Sequence, residues 1–539
     1  MYTSAGRILA TLSLFALVVA APVSPSPPSA TVQAAPSAST PRLNLPSPKI
    51  APFESVASYL QDQSPILLTE RDLFYSPDFD PEDLPQTSFG FAGEEDSLFE
   101  GGEAHSIANA ALDSKYELVP EGLFKRANNT KLQGTARNGT WAAARNGTRL
   151  ARACIGSSAD ETTINAALYY GGKGAIVRLC LGAVININNP IFFSAPNQVI
   201  TTAGNPMGKS RATIVVQGKN QACAVYGAVP GANNVTFRNV QVDGNRQNLG
   251  IIYGGIALLE FGGNTVNQRV LNVRAFEPRG WSALHTAEGG KGVHACSGMI
   301  VRSNDIGPAG NSPSGALQFR RRGQEYSPGQ WADGISHACP NSIVENNVIT
   351  DATDGAIVVF GAPGSTITSN TIIAEERVAM GGINAVDWMP FGGTYEGTVI
   401  KNNHLIARNA MIKVGIAIGG MVWGVDNRTA SRTYGGQFLD NEFSSGETGY
   451  FGYAIGVSGH KGAVITGNFV HENTAFGGVD SAACFKAWFP LPKPQPFIAD
   501  PTNTPESTFQ KEFWLKTVLV LLICKGPGAI LQRISSATT

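Results

Sequence analysis

Two aspartates with the same local sequence are the residues best suited to chemistry. Asp333-Gly-Ile and Asp354-Gly-Ala each open a predicted strand and lie 21 residues apart. If about 21 residues make one turn of a repeating structure, both carboxylates project from one face on neighbouring turns. Such a pair can divide acid and base roles, because each carboxylate raises the proton affinity of the other. Hydrolysis of a glycosidic bond requires such a pair. We therefore predict Asp333 and Asp354 as catalytic; the alternative is that both satisfy backbone N–H groups in turns.

Cationic and aromatic residues near these aspartates could hold a sugar chain. Arg320 and Arg321 belong to a run of three arginines just before Asp333, and the guanidinium group suits a uronate carboxylate. Trp331 and Trp388 fall at predicted turn ends and could stack on sugar rings. The alternative for the arginines is a solvated loop, and the alternative for the tryptophans is a role in packing.

The elements that position these residues follow from a repeat. The pattern apolar–x–Asn–apolar recurs with a shortest step of 23 residues and variable excess, which indicates one structural unit with loop insertions. Its asparagines are Asn239, Asn272, Asn304, Asn347, Asn370, Asn403, Asn441 and Asn468. Between them lie short Val- and Ile-rich runs separated by Gly and Asn, such as Ala356–Phe360. This predicts an all-β parallel β-helix, in which asparagines on successive coils form a hydrogen-bonded ladder about 4.8 Å per step.

A short helix is predicted ahead of the first coil. Asp160 can cap it, Ile164, Ala167 and Leu168 share one face, and Gly171-Gly172 ends it. A capping helix followed by x-V-x-x-N-x-I coils resembles the pectin-lyase-like superfamily over about residues 158–480. The resemblance implies a right-handed parallel β-helix (solenoid) with an N-terminal capping helix and an irregular C-terminal cap. That superfamily includes hydrolases, lyases, epimerases and non-catalytic proteins, so the resemblance specifies the fold and not the reaction.

The order of the aspartates resembles that of the polygalacturonase family. Asp333 matches the aspartate of that family's first catalytic coil, and Asp354 matches one of the two aspartates in the next. Lys413 matches the lysine of its Arg-Ile-Lys motif, and the resemblance implies that Lys413 holds substrate charge with Arg320 and Arg321. The sequence departs from the pattern at Gly355, at Met380–Ile383 and at Met411.

Two other functions remain open from the sequence. A polysaccharide lyase would use an Arg or Lys base, with Ca²⁺ held by Asp354 and Asp387, since Ca²⁺ prefers several oxygen ligands. A non-catalytic glycan-binding or surface protein would keep the scaffold alone. The hydrolase hypothesis requires no cofactor.

The N-terminal region predicts secretion into the extracellular space. Arg7 precedes a short apolar run that ends in small residues, which is typical of a signal peptide. The dibasic pair Lys125-Arg126 is a predicted processing site. The expected segments are a signal peptide (1–20), a Pro-rich and acidic disordered pro-segment (21–126), a lead-in (127–157), the β-helix (158–484) and a C-terminal cap or tail (485–539).

The charge is divided at the same junction. Residues 1–126 contain 16 of the 41 acidic residues but 7 of the 40 basic ones, so the remainder has 25 acidic and 33 basic residues. A basic body favours an acidic polysaccharide as partner. We expect a monomer that binds no nucleic acid and has no membrane span, because the apolar run Val518–Cys524 is too short to cross a bilayer.

Cysteines and sequons also indicate secretion. The seven cysteines lack metal-site spacing, so disulfides with one residue left over are expected, Cys154–Cys180 first among them. Predicted glycosylation sites are Asn128, Asn138, Asn146, Asn234 and Asn427.

Overall fold

The computed structural model describes residues 154–252, 254–289, 296–311, 331–422, 433–480, 491–516 and 525–538. Three long sheets of parallel strands run along the molecule, and each coil of the chain contributes one strand to each sheet in turn. This is the expected right-handed parallel β-helix.

The strands of each sheet, in the order in which they pair, are as follows. Sheet A contains Ile176–Leu179, Val199–Thr202, Thr236–Arg238, Arg269–Leu271, Ile300–Arg302, Ile343–Glu345, Thr366–Thr368, Val399–Lys401, Gln437–Leu439, Val464–Thr466 and Thr508–Phe509. Sheet B contains Val184–Ile187, Ala212–Val216, Val240–Asp243, Arg274–Phe276, Asp305–Ile306, Val348–Thr350, Thr371–Ala374, His404–Ala407, Glu442–Ser445 and Phe469–Val470.

Sheet C carries the longest strands. It contains Ile191–Phe192, Val225–Tyr226, Leu259–Gly262, Ser282–Ala287, Asp333–His337, Gly355–Val359, Ala379–Ala385, Met411–Ile418, Tyr450–Val457, Ala475–Asp480 and Lys525–Arg533. Gln495–Ala499 also pairs with Tyr450–Val457, Trp514–Leu515 pairs with Gln495–Ala499, and Lys525–Arg533 is antiparallel to its neighbour. Thr433–Tyr434 and His460–Lys461 form a separate pair. The sheets thus continue past residue 484, where the sequence placed the end of the β-helix.

Apolar side chains at equivalent positions of successive coils form the core. In sheet C, Leu284, Ile335, Ile357, Ile383 and Ile416 lie at one register position and are fully buried. Since side chains alternate between the two faces of a strand, the residue after each of these faces outward. Sheet C therefore has an inner apolar face and an outer face that can carry chemistry.

The predicted asparagine ladder is present from Asn304 to Asn468. In the first five asparagines, Nδ2 donates to the Oδ1 of the next asparagine at 2.9–3.0 Å, and the backbone N–H of the same residue donates to that oxygen as well. The last, Asn468, makes the same two bonds to Gln510 Oε1. The six asparagines, which are Asn304, Asn347, Asn370, Asn403, Asn441 and Asn468, are at most 2% exposed. Every member is thus hydrogen-bonded inside the coil stack, as a buried amide requires.

Asn239 and Asn272 were wrongly placed in this ladder. They lie one position earlier in the turn, at residues with φ of 53° and 52°, where later coils have Ser303, Asn346 and Asn402. The ladder position of their coils is occupied by Val240 and Val273, which are buried. Asparagine tolerates the left-handed conformation better than most residues, so both adjacent positions of the turn favour it for different reasons.

The N-terminal end is capped as predicted. Helix Glu161–Gly171 begins after Asp160, whose side chain accepts a hydrogen bond from the N–H of Thr163 at 3.0 Å, and it buries Ile164 and Leu168. A second short helix spans Arg246–Leu249, and 3₁₀ turns span Gly208–Ser210 and Gly420–Val422.

Two disulfides are present among the described residues. The predicted Cys154–Cys180 bond is confirmed, and Cys296–Cys339 joins neighbouring coils. Cys223 is a buried free thiol. In the described part of the chain, no helix is long and apolar enough to span a membrane.

Several predictions lie outside the described residues. They are the signal peptide, the pro-segment with Lys125-Arg126, most of the lead-in, Arg320, Arg321, the sequons at Asn128, Asn138, Asn146 and Asn427, and the apolar run Val518–Cys524. Of the predicted glycosylation sites, Asn234 is described; it lies partly exposed in a turn with φ of 59°.

Candidate functional site

Asp333 lies on the outer face of sheet C. Gly334 and Ile335 both face the core, where a Cβ at Gly334 would meet the side chains of Ile349 and Ala352, so the alternation of faces is interrupted and Asp333 lies outside with Ser336. The Asp333 carboxylate accepts a hydrogen bond from the Ser336 hydroxyl at 2.7 Å. Its second oxygen accepts the backbone N–H of Gly355 at 3.1 Å, and the Ser336 hydroxyl also contacts Ser282. The carboxyl group is thus held in a fixed orientation although it is on the outer face.

Burial changes the protonation of Asp333. The residue is 5% exposed, and loss of solvent raises the pKa of its carboxyl group to about 7, although the hydrogen bonds from Ser336 and Gly355 and the nearby His285 act in the opposite direction. A carboxyl with this pKa retains a proton close to neutral pH, which is the requirement for a general acid.

A second buried carboxyl lies within electrostatic reach. Burial raises the pKa of Asp387 to about 8, and the charge of Asp333 adds to that effect. The sequence placed Asp387 at the end of the next coil's strand, and it does follow the strand Ala379–Ala385 by two residues. Its backbone carbonyl accepts a hydrogen bond from the Tyr395 hydroxyl at 3.1 Å, which fixes the chain at this point.

Asp354 lies one residue out of register with Asp333. Because Ile335 pairs with Ile357, the residue beside Asp333 on the next coil is Gly355, and Asp354 precedes it. The sequence had placed the two aspartates at equivalent positions one coil apart. Asp354 is partly exposed, in contrast to Asp333. The two carboxyls therefore have different environments on neighbouring coils.

Lys413 and Trp331 are brought together as part of the same region. The register pairs Gly355 with Gly381 and Gly381 with Val414, so Asp354 and Lys413 occupy one position two coils apart, roughly 10 Å along the sheet. The Lys413 ammonium lies 5.7 Å from the centre of the Trp331 ring, within the range of a cation–π contact. Two coils lie between Trp331 and Lys413, and the first of them carries Asp354.

Of the remaining predicted binding residues, the structure describes Trp388. Trp388 follows Asp387 directly and is partly exposed, and its carbonyl accepts the N–H of Gly393. The structure does not describe Arg320 and Arg321.

A histidine–glutamate pair beside Asp333 was missed by sequence analysis. Glu260, His285 and Ser336 lie at one register position on three successive coils, and His285 Nδ1 contacts Glu260 Oε1 at 2.7 Å. Burial by itself would lower the pKa of His285, but the charge and hydrogen bond of Glu260, together with the charges of Glu288 and Asp333, outweigh it and the pKa is raised. Trp281 packs edge-on against the imidazole at 4.9 Å. The available signal was two charged residues one coil apart within predicted strands.

An unpartnered amide lies among these groups. Asn384 is fully buried on the outer side of sheet C, and neither its Oδ1 nor its Nδ2 has a hydrogen-bond partner. A Cβ added at Gly355 or at Gly381 would meet this amide within 3 Å, so both glycines leave room for it. A buried amide without partners is costly, and a bound water or a ligand hydroxyl would remove that cost.

The two residues expected to hold Ca²⁺ under the lyase hypothesis differ in burial, since Asp354 is partly exposed and Asp387 is buried. Within the described ranges, the one group of three His, Cys, Asp or Glu side chains with converging ligand atoms lies elsewhere, and it does not include Asp333, Asp354 or Asp387. Ca²⁺ takes six to eight oxygen ligands, which Asp354 and Asp387 by themselves do not provide.

Comparisons with known proteins gave structural likenesses only. No family model matches the sequence, and no curated protein matches it. An alginate lyase from Paenibacillus sp. str. FPU-7 is 13% identical with a TM-score of 0.30, over 57% of this chain and 93% of that one. An endo-xylogalacturonan hydrolase from Aspergillus tubingensis is 11% identical with a TM-score of 0.34, over 67% and 97% of the two chains. PfbA, a surface adhesin of Streptococcus pneumoniae, is 12% identical with a TM-score of 0.32, over 67% and 89%.

Proposed function

We propose that this chain is a secreted hydrolase of an acidic polysaccharide, with Asp333 as general acid and Asp354 as the second carboxylate. The observation that carries the proposal is the state of Asp333, which is a buried carboxyl on the outer face of sheet C with its pKa raised to about 7. The fold does not need a carboxyl there, because the equivalent positions on the next two coils are Gly355 and Gly381.

The two aspartates suit different roles. Asp333 retains its proton near neutral pH and can donate it to the oxygen of the leaving sugar. Asp354 is partly exposed, so solvent can screen its negative charge, and it can accept a proton from an attacking water or attack the sugar directly. Environments that separate two carboxyls in this way are how acid and base roles are assigned in glycoside hydrolysis.

Cationic side chains near the aspartates favour a substrate that contains acidic sugars. The Glu260 carboxylate contacts His285 and raises its pKa, which favours the charged imidazolium, and Lys413 lies against Trp331 two coils from Asp354. A uronate carboxylate can pair with either cation while the sugar ring stacks on a tryptophan. From the sequence, Arg320 and Arg321 remain proposed contributors to substrate binding.

A polysaccharide lyase is the second candidate, and the position of Lys413 favours it. Lys413 lies in the same register position as Asp354 and could act as the base that abstracts a proton beside a uronate carboxylate. Ca²⁺ bound by Asp354 and Asp387 would need further oxygen ligands, because it takes six to eight.

Secretion is supported by the disulfides. Cys154–Cys180 and Cys296–Cys339 would not persist in a reducing cytosol. The signal peptide, the processing at Lys125-Arg126 and the glycosylation remain part of the proposal.

Turnover of a panel of pectic, uronic and neutral polysaccharides tests the proposal. New reducing ends without ultraviolet absorbance from unsaturated products would support hydrolysis. Absorbance would establish the lyase instead, and loss of that signal with a chelator would implicate Ca²⁺. Absence of both signals from folded protein that still binds the glycan would favour a non-catalytic binding protein.

The pH dependence of the reaction follows from the pKa of Asp333. The general acid must carry its proton, so kcat/KM should fall as pH rises through about 7. A lyase with a lysine base would show the opposite sign, since its activity rises as the base loses its proton. Initial rates measured from pH 4 to pH 9 on the best substrate distinguish the two, and a hydrolytic rate that stays constant to pH 9 would exclude Asp333 as the acid.

A further inference from the structure

A cluster of two histidines and one glutamate lies on the outer face of sheet B, away from the residues of sheet C discussed above. His404 and Glu442 are register partners in adjacent strands of sheet B, and His471 follows the next strand by one residue. Leu405 and Phe443 are fully buried, so the residues before them face outward. The three side chains thus come from three consecutive coils.

The side chains converge at short range. One ligand atom from each of the three residues lies within 4.8 Å of the others. His471 Nε2 contacts Glu442 Oε2 at 3.0 Å, and the rings of His404 and His471 are 5.6 Å apart. His404 Nε2 also contacts the Ser444 hydroxyl at 2.8 Å.

We propose that His404, Glu442 and His471 bind a zinc ion or a chemically similar divalent transition metal. Two imidazoles and one carboxylate are a ligand set that Zn²⁺ uses, with a water at the fourth tetrahedral position. Ca²⁺ and Mg²⁺ prefer oxygen ligands throughout, so imidazoles select against them.

The scaffold suits such a site. Donor atoms around tetrahedral zinc lie about 3.3 Å apart. His471 Nε2 and Glu442 Oε2 are already at 3.0 Å, so the remaining separations, which are at most 4.8 Å, need to shorten by about 1.5 Å or less. Glu442 is exposed and both histidines are partly exposed, so rotation about side-chain bonds can supply this shift without movement of the strands. Adjacent strands lie about 4.8 Å apart, so the backbone already holds the three side chains close together without a bound metal.

The alternative is an ordinary surface ion pair between Glu442 and His471, with His404 bonded to Ser444. The two arrangements make different demands on the residues. An ion pair needs neither His404 nor a metal, whereas a metal site needs all three side chains and should tie together the coils that carry them.

Titration calorimetry of the metal-free full-length chain with ZnCl₂ tests this site. We expect a binding event of one ion per chain that weakens at least about tenfold in His471→Ala, in His404→Ala and in Glu442→Gln. Glu472→Gln is the matched control, because Glu472 is an exposed carboxylate next to His471 outside the cluster. Zn²⁺ should also raise the melting temperature of the wild type and of Glu472→Gln, but not of Glu442→Gln.

Three results would overturn the proposal. The first is that the wild type does not bind Zn²⁺ at 100-fold molar excess over the protein. The second is that Glu442→Gln and Glu472→Gln bind Zn²⁺ equally well. The third is that the cluster binds Ca²⁺ from CaCl₂ as tightly as Zn²⁺ from ZnCl₂. Because none of these readouts depends on turnover, they are independent of the proposed hydrolase activity.

Discussion

Replacing Asp333 by Asn should lower kcat by about a thousandfold or more. The amide keeps the size and the hydrogen-bonding capacity of the protonated carboxyl. Its oxygen can accept from Gly355 N–H as Asp333 does, and its NH₂ can donate to the Ser336 hydroxyl, which reverses the direction of that bond. It cannot transfer a proton to the leaving group, and general acid catalysis contributes typically 10²–10⁴-fold. Steady-state kinetics of Asp333→Asn on the best polysaccharide should show a fall in kcat with KM little changed.

The same substitution should stabilise the protein at alkaline pH. Asp333 has a pKa near 3.9 when unfolded and about 7 when folded, so the native state favours the protonated form. The stability that this provides is fully present below the unfolded pKa and is lost as pH rises through about 7. The asparagine side chain of the Asp333→Asn variant carries no charge at any pH. The free energy of unfolding of the variant should therefore rise relative to that of the wild type between pH 5 and pH 8. Denaturant midpoints at the two pH values measure the difference.

Asp351→Asn is the matched control for a structural aspartate. Asp351 is as buried as Asp333, but its carboxylate accepts the backbone N–H groups of residues 375, 376 and 377. The amide would lose charge-assisted hydrogen bonds, so this variant should lose stability and retain kcat per folded molecule. Asp333→Asn with more than a tenth of wild-type kcat, or with a stability loss like that of Asp351→Asn, would contradict the acid role.

The fold was predictable because every coil has the same structural requirements, which therefore recur along the sequence. Every coil needs short apolar strands and a turn, and the asparagines of the ladder can hydrogen-bond only when they recur at one position. The register within a coil was harder to predict. Asn239 and Asn272 were misplaced by one residue because the left-handed position and the ladder position are adjacent and both favour Asn.

The site was predictable only in part, for a related reason. Asp333 stood out because an aspartate before glycine at the start of a buried strand has no packing role. Which residues lie beside Asp333 on the next coil depends on the register of the strands. The register is hard to predict from the sequence because the loops between strands vary in length. The sequence therefore predicted that Asp354 lies beside Asp333, but the residue beside Asp333 is Gly355. Glu260 and His285 lie 25 residues apart in separate coils, and their contact follows only from the strand pairing.

Replacing Asn403 by Ala should have the largest effect on stability, because Asn403 lies in the middle of the ladder. Its Oδ1 accepts from both the backbone N–H and the side chain of Asn370, and its Nδ2 donates to Asn441 and to the carbonyl of Ile367. Alanine leaves these partners buried and short of hydrogen bonds. At about 1–3 kcal/mol for each unsatisfied group, with partial relaxation, we expect a loss of about 3–5 kcal/mol. Urea unfolding followed by circular dichroism measures this loss.

Asn402→Gly is the control for the ladder, because Asn402 is adjacent in sequence but different in role. It is exposed and has a φ of 54°, a conformation that glycine adopts without steric cost. Its replacement should therefore change stability by less than about 1 kcal/mol. If Asn402→Gly were as destabilising as Asn403→Ala, the turn conformation and not the ladder would be what holds neighbouring coils together. A large effect confined to Asn403 would instead show that buried side-chain amides, repeated once per coil, stabilise the scaffold on which Asp333 and Asp354 are positioned.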